Sequence, residues 1–286
     1  MQFNNFPSLL VSLLLITAVF LSGCSVKFYY NQLDWLVPWY VDDYVTLNAE
    51  QEVIFDAHLG DYLRWHRTEQ LPVYADFLDW TASASTDGLD DTELQAIQDQ
   101  VSAYTATMFT RLAPPLVDVF YSFSQEQVDE LFDNFRRENL EYRKEKIEIS
   151  EQQHRQERAE DVVSLVERWT GDLNDQQLQY IEEWSQQYRR MSADFLASRE
   201  IWQKELKTVL LRRDDHEYLQ QALLDLFRQR YSMRTRQYQE KYQFNEQLLK
   251  LLYSKLDQSL SQSQRDRMIT ELTALADDFR YLATRQ

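Results

Sequence analysis

Glu151 and His154 stand in the Glu-x-x-His spacing that, on an inward-facing helix, supplies two ligands of a carboxylate-bridged di-iron site. Such a site needs a second pair and further inward glutamates; this chain has the one pair, inside a segment too polar to face a core. His58 and His66 fall near one helical face, but no thiol and no i+4 histidine accompany them to complete a zinc set. Nucleophilic catalysis lacks a Gly-x-Ser-x-Gly elbow, and phosphate binding lacks a glycine-rich loop. The acidic pairs Asp42-Asp43, Asp90-Asp91 and Asp214-Asp215 include two at helix starts, where carboxylates complement the dipole. No catalytic residue, metal or cofactor is therefore expected, and the chain is not expected to be an enzyme.

Residue types suited to recognition lie nearer the C-terminus, at Arg228, Tyr231, Arg234, Tyr238 and Tyr242. The three tyrosines share a helical face, which serves either as a core stripe flanked by solvated arginines or as a surface for a protein or peptide partner. Arg and Tyr are the types enriched in binding hot spots. A formal charge of −17 argues against nucleic acid as a partner, because phosphate binding needs a concentrated basic surface. Acidity is concentrated in residues 42–100, where 14 acids face two bases.

The elements that must position these residues are helical. Only four glycines and five prolines occur, with no proline after Pro115, and helix formers dominate the remainder. The expected fold is all-α, an elongated helical bundle with long helices and no sheet. Five stretches announce helix starts: Leu47-Asn-Ala-Glu-Gln51, Leu89-Asp-Asp-Thr-Glu93, Phe123-Ser-Gln-Glu-Gln127, Leu173-Asn-Asp-Gln-Gln177 and Leu260-Ser-Gln-Ser-Gln264. In each, an Asn, Asp or Ser cap is followed three places on by Glu or Gln, the capping box, and the spacings are too irregular for a solenoid repeat. These boxes place helices at about 48–69, 72–85, 90–112, 124–169, 174–212, 215–258 and 261–283. Pro72 fits a first-turn position, Gly88 and Gly171 fit helix ends, and Pro114-Pro115 is expected to force an extended break. Between Glu141 and Asp161 apolar residues are sparse, whereas Arg137 with Glu141, Lys144 with Glu148 and Glu151 with Arg155 sit at i, i+4. The helical body, 48–286, is thus expected to have lobes 48–135 and 162–286 joined by an exposed helical arm, 136–161.

The N-terminal end carries an address. Leu21-Ser22-Gly23-Cys24 closes an apolar run from Leu9 and holds the only cysteine, so no internal disulfide is available. The pattern resembles the lipobox of bacterial lipoproteins, although Met1 to Ser8 lack Lys and Arg. That resemblance implies a signal peptide over 1–23, acylation of Cys24 as the mature N-terminus, and, with Ser25 following, the periplasmic face of the outer membrane. Residues 24–47 would form a lipid-anchored segment with seven aromatics between Phe28 and Tyr44; docking into the core is preferred over contact with the membrane surface. Tyr30-Asn31, Asp34-Trp35, Trp39, Asp43, Tyr44 and Leu47 through Gln51 look like the opening of a family of proteobacterial lipoproteins of unknown function. The five-residue helix starts also resemble the Leu-Thr-x-x-Gln motif of periplasmic stress chaperones and the helix starts of membrane-tethered lipase foldases, with Asn, Asp or Ser in place of Thr. The expected function is binding of a protein or peptide partner, as a chaperone-like or assembly factor. A structural scaffold of an envelope complex is the alternative, ahead of an enzyme with an unrecognised site.

Overall fold

The computed structural model describes residues 23–229 and 233–285; the expected signal peptide up to Ser22, and Tyr231, lie outside the described residues. The described chain is all-α, and no strand occurs in it. In order, the helices are α1 (Gly23–Tyr30), α2 (Leu33–Asp42), α3 (Ala49–Trp65), α4 (Leu71–Ala84), α5 (Asp91–Tyr121), α6 (Gln125–Tyr142), α7 (Glu151–Thr170), α8 (Asp175–Gln187), α9 (Ser192–Leu210), α10 (His216–Arg228), α11 (Arg236–Ser259) and α12 (Gln262–Ala283). Two π-turns, His66–Gln70 and Arg143–Ile147, interrupt the ladder.

All five expected capping boxes form, at Asn48, Asp90, Ser124, Asn174 and Ser261, each with both reciprocal hydrogen bonds. Four of them are further joined in pairs. Gln51 Nε2 donates to Gln127 Oε1 at 2.9 Å and Gln127 Nε2 donates back to Gln51 Oε1 at 2.6 Å. Gln177 and Gln264 repeat the exchange, at 3.0 Å in each direction. The second N–H of each amide donates to the carbonyl two residues before its partner's cap: Ser122 and Thr46 in one pair, Ser259 and Asp172 in the other. Each glutamine oxygen therefore accepts from its own cap and from its partner, and each amide nitrogen uses both hydrogens.

Among the described residues, three apolar clusters fill the body. The largest joins Val45, Val117, Phe123, Val128 and Phe132 to Leu206, Leu210, Leu219 and Leu223. A second packs Val26, Tyr30, Leu71 and Ala75 against Leu275, Phe279 and Leu282, bringing the two ends of the described chain together. The third sets Val162, Ile181 and Trp184 against Leu252 and Leu256. The first two mix residues from both expected lobes, so the division into 48–135 and 162–286 does not hold. Packing of α12 on α4 ties the last helix to an early one.

Several expected boundaries need correction. Pro114 and Pro115 lie inside α5, which runs through them. The carbonyls they deprive of donors belong to Thr110 and Arg111, both exposed, while burial of Met108, Ala113, Val117 and Val119 holds the helix in line. Pro72 does sit in a helical first turn, yet no gap precedes it: the π-turn absorbs the missing donor, with Leu71 N–H bonding the His66 carbonyl. The span 174–212 is two helices, because the buried Asn245 side chain grips the Arg189 backbone, accepting from its N–H at 2.9 Å and donating to its carbonyl at 2.8 Å. The span 215–258 is likewise divided, with Thr235 capping the start of α11.

The supposed arm differs most. Its helix ends after the second π-turn, the chain bends at residues 148–150, and Ser150 caps a new helix by accepting from Gln153 N–H at 3.1 Å. Arg190 holds the bend, donating to the carbonyls of Lys146 (2.6 Å), Ile147 (3.0 Å) and Ile149 (3.1 Å), and Lys146 reaches across it to Glu157 at 3.0 Å. Asn139 and His154, inside the supposed exposed stretch, are buried. Of the three expected ion pairs, Glu151–Arg155 forms at 2.9 Å, while Arg137 turns to Asn134.

Replacing Gln177, which is fully buried, with alanine strands the Asn174 N–H, the Ser259 carbonyl and half of the Gln264 amide. Gln177→Ala should lower the unfolding free energy by about 3 kcal/mol, and Gln177→Ala/Gln264→Ala should cost less than the two single changes summed. Urea midpoints for the four members of the cycle check this; strict additivity would show that the two amides act separately.

Candidate functional site

The new helix start at Ser150 turns α7 into one arm of a hairpin whose other arm is α8. Gly171 closes α7 with φ +77°, a backbone conformation side chains disfavour, and a β-carbon there would press on Arg267 at 3.0 Å. Three residues later the Asn174 box starts α8. On α8, Ile181 and Trp184 turn into the third apolar cluster, leaving Leu178 39 % exposed. Between the two helices runs an open groove of about 910 Å³. Ala159 and Val163 from α7 and Leu178 and Ile181 from α8 form its apolar floor. Glu151, Glu160, Asp175 and Glu182 stand along it as acids against a single base, Arg155. That guanidinium is engaged, donating to Glu151 and, at 2.6 Å, to Gln186 across the groove. A concave apolar strip with acidic walls has the form of a helix- or peptide-binding groove.

Residues singled out by spacing are placed as follows. Arg228 is exposed at the end of α10, and Arg234 precedes α11 with its guanidinium 5.2 Å from the Tyr238 ring and 4.1 Å from the Tyr242 ring. Tyr238 is buried, and burial pushes its pKa up to about 12. The structure thus brings Arg234, Tyr238 and Tyr242 together as a stack with its tyrosine end inside the body, and separates Arg228 onto another helix. Glu151 faces Arg155 and Arg190 rather than His154, which is buried against the Tyr188 ring. Among the described residues no group of three or more His, Cys, Asp and Glu side chains is arranged to hold a metal ion. His58 and His66 part company: His58 Nε2 meets Asp118 at 2.9 Å, and that carboxylate also meets His216 at 3.4 Å, while His66 Nδ1 lies 2.8 Å from the Tyr30 hydroxyl.

A family model described as a family of unknown function, DUF6279, matches residues 43–239. The chain belongs to that family. No curated protein and no solved structure matches. The DUF6279 span contains α7, α8 and the whole groove, and it ends one turn into α11. Of the groove residues, sequence spacing singles out Glu151 and Arg155, as half of a metal-ligand pair and as an ion pair, but not the apolar floor, because a continuous helix over 124–169 hides the bend that turns α7 toward α8. A signal was present nonetheless: Ile149-Ser-Glu-Gln-Gln153 repeats the apolar, cap and Gln spacing of the five boxes.

His66 and His154 give the fold a pH dependence. Burial, with Arg67 near the first and Arg190 near the second, lowers each from the usual 6.5 to about 4. The unfolded chain therefore binds these protons first, so their stabilisation is complete above about pH 6.5 and is lost as pH falls toward 4. Each histidine should contribute a slope of roughly 1.4 kcal/mol per pH unit inside that window. Urea unfolding at pH 7, 5.5 and 4.5 measures it, and His66→Gln should flatten the curve.

Proposed function

We propose that this protein is a lipid-tethered helical binding protein of the periplasmic face of the outer membrane, whose groove between α7 and α8 takes a basic amphipathic segment of a protein or peptide partner. The groove carries the reading: its apolar floor of Ala159, Val163 and Leu178, backed by the buried Ile181, offers burial to one face of a helix. Its four acids against one engaged arginine favour a cationic opposite face, and a body of charge −17 steers such a partner from a distance. A chaperone-like or assembly role follows from a tether that holds the groove at the membrane while leaving it open to clients. The tether rests on Leu21 to Cys24 and the apolar run before them.

Two measurements test the parts separately. An 18-residue synthetic helix with leucine on one face and lysine on the other should bind the chain, and a glutamate version of the same peptide should not. Leu178→Gln, at a half-exposed floor position, and Glu160→Lys/Glu182→Lys should each weaken the lysine peptide about tenfold, about 1.4 kcal/mol, in fluorescence anisotropy. Equal affinity for both peptides would remove the groove reading and favour a fixed scaffold. For the tether, Cys24→Ser should abolish acyl labelling and leave an unprocessed precursor; a labelled Cys24→Ser chain would refute it.

A further inference from the structure

The segment following Cys24 docks into the core by one side, through Val26, Tyr30, Leu33, Val41, Tyr44 and Val45, and leaves part of its aromatic content on the other side exposed. Eight of the ten residues of α2 are apolar, yet none of the ten is fully buried. Trp35 and Trp39, one helical turn apart, are 63 % and 58 % exposed, and on α1 Phe28 is 61 % exposed beside Tyr29, their rings edge to face at 5.5 Å. This exposure is held in place. On the inner side of α1, Val26 and Tyr30 are buried against Leu275, Phe279 and Leu282, and Lys27 pairs with Asp278 at 2.6 Å. On the inner side of α2, the Tyr40 hydroxyl meets that of Tyr44, which donates to Glu138 on α6. The outward aromatics are therefore fixed by their neighbours rather than left over from a loose end.

Exposed tryptophan, tyrosine and phenylalanine on short helices match the headgroup region of a bilayer, where a ring is solvated by lipid and its polar atom stays wet. The adjoining chain favours that partner over a protein. The apolar run from Leu9 to Leu21 ends two residues before α1, and Phe28 lies four residues beyond Cys24, about 6 Å at helical rise. Whether this end enters the bilayer through acyl chains or through the run itself, Phe28 and Tyr29 follow it by only four to eight residues. Asp34, Asp42 and Asp43 border the face, so its natural surface is zwitterionic rather than anionic. We propose that α1 and α2 form a membrane-docking face, through which Phe28, Tyr29, Trp35 and Trp39 enter the headgroup region of a zwitterionic bilayer and fix the orientation of the body on it.

This rests on the tether only for bringing the chain to the membrane, and the experiment reads the two apart. The full chain and its Trp35→Phe/Trp39→Phe variant are reconstituted on phosphatidylcholine vesicles, with and without bromine on the acyl chains near the headgroup. Sedimentation with the vesicles reports the tether; bromine quenching of tryptophan emission reports the face. Both proteins should sediment, and the fraction of emission quenched should fall to near zero in the variant, whose five other tryptophans lie in the body. Equal sedimentation with equal quenching would overturn the docking face and leave the tether standing. Failure of both proteins to sediment would overturn both.

Discussion

The paired capping boxes are the constraint on which the rest of the body depends. Ordinarily a helix start is a local event, satisfied by its own cap and its own third residue. Here Gln51 with Gln127, and Gln177 with Gln264, convert four local starts into two long-range contacts spanning 76 and 87 residues. Burial makes the exchange demanding. Gln177 is fully enclosed, so an amide with one bond missing would suffer the cost of a buried unsatisfied group, about 1–3 kcal/mol, with no water to relieve it. The four-bond pattern of each glutamine leaves no slack in distance or angle, and it fixes which helix starts stand side by side. Apolar packing is tolerant of sliding; this arrangement is not.

What the sequence made legible was local chemistry. All-α class, the five boxes, the helix end at Gly171 and the first-turn place of Pro72 each follow from a residue acting on its neighbours, whereas Gly88 lies in the loop three residues beyond Ser85, the cap of α4. What it hid was action at a distance. The cross-pairing of the glutamines uses the same side chains as the boxes, so the local explanation was complete without it. Helix breaks at 148–150 and 188–191 contain neither glycine nor proline; they are made by Arg190 and Asn245, which lie 40 or more residues along the chain from the backbone groups they hold. Conversely, Pro114-Pro115 signalled a break that packing of α5 overrode. The α7–α8 groove was illegible for the same reason as the bend that creates it, even though Ser150 and Gln153 carried the box spacing.

A chain so poor in glycine and proline turns its corners with charged and amide side chains instead. Arg190 collects three carbonyls at the end of one helix, and Arg265 does comparable work at the turn between α11 and α12, donating to the Ser85 and Asp257 carbonyls and to the Asp257 carboxylate. That carboxylate in turn accepts from Leu89 N–H beside Gly88, whose φ of +95° admits the approach. These corners bind the first third of the chain to the last without a disulfide, which a single cysteine could not supply in any case. They also explain why the ends of the body close on each other while two of the three apolar clusters stay modest in size.

The composition of the groove floor argues that it is kept open at some expense. Ala159 and Val163 are among the smaller apolar residues, and opposite them Leu178 is left part-exposed one helical turn from the buried Ile181. A body selected for stability alone would set a leucine or phenylalanine at position 159 or 163 and bury Leu178 under it, gaining roughly 25 cal/mol for each Å² of apolar surface removed from water. The other side of α7 shows no such restraint: it packs on α12, and the inner face of α8 packs on α11. The two hairpin helices also pack on each other through Val162, Val166, Ile181 and Trp184, so the groove is the shallow outer seam of that contact, lined by acidic residues and bridged by the Arg155–Gln186 hydrogen bond. The part-exposed Leu178 and the small Ala159 and Val163 leave along this seam the apolar strip that the proposed partner would cover.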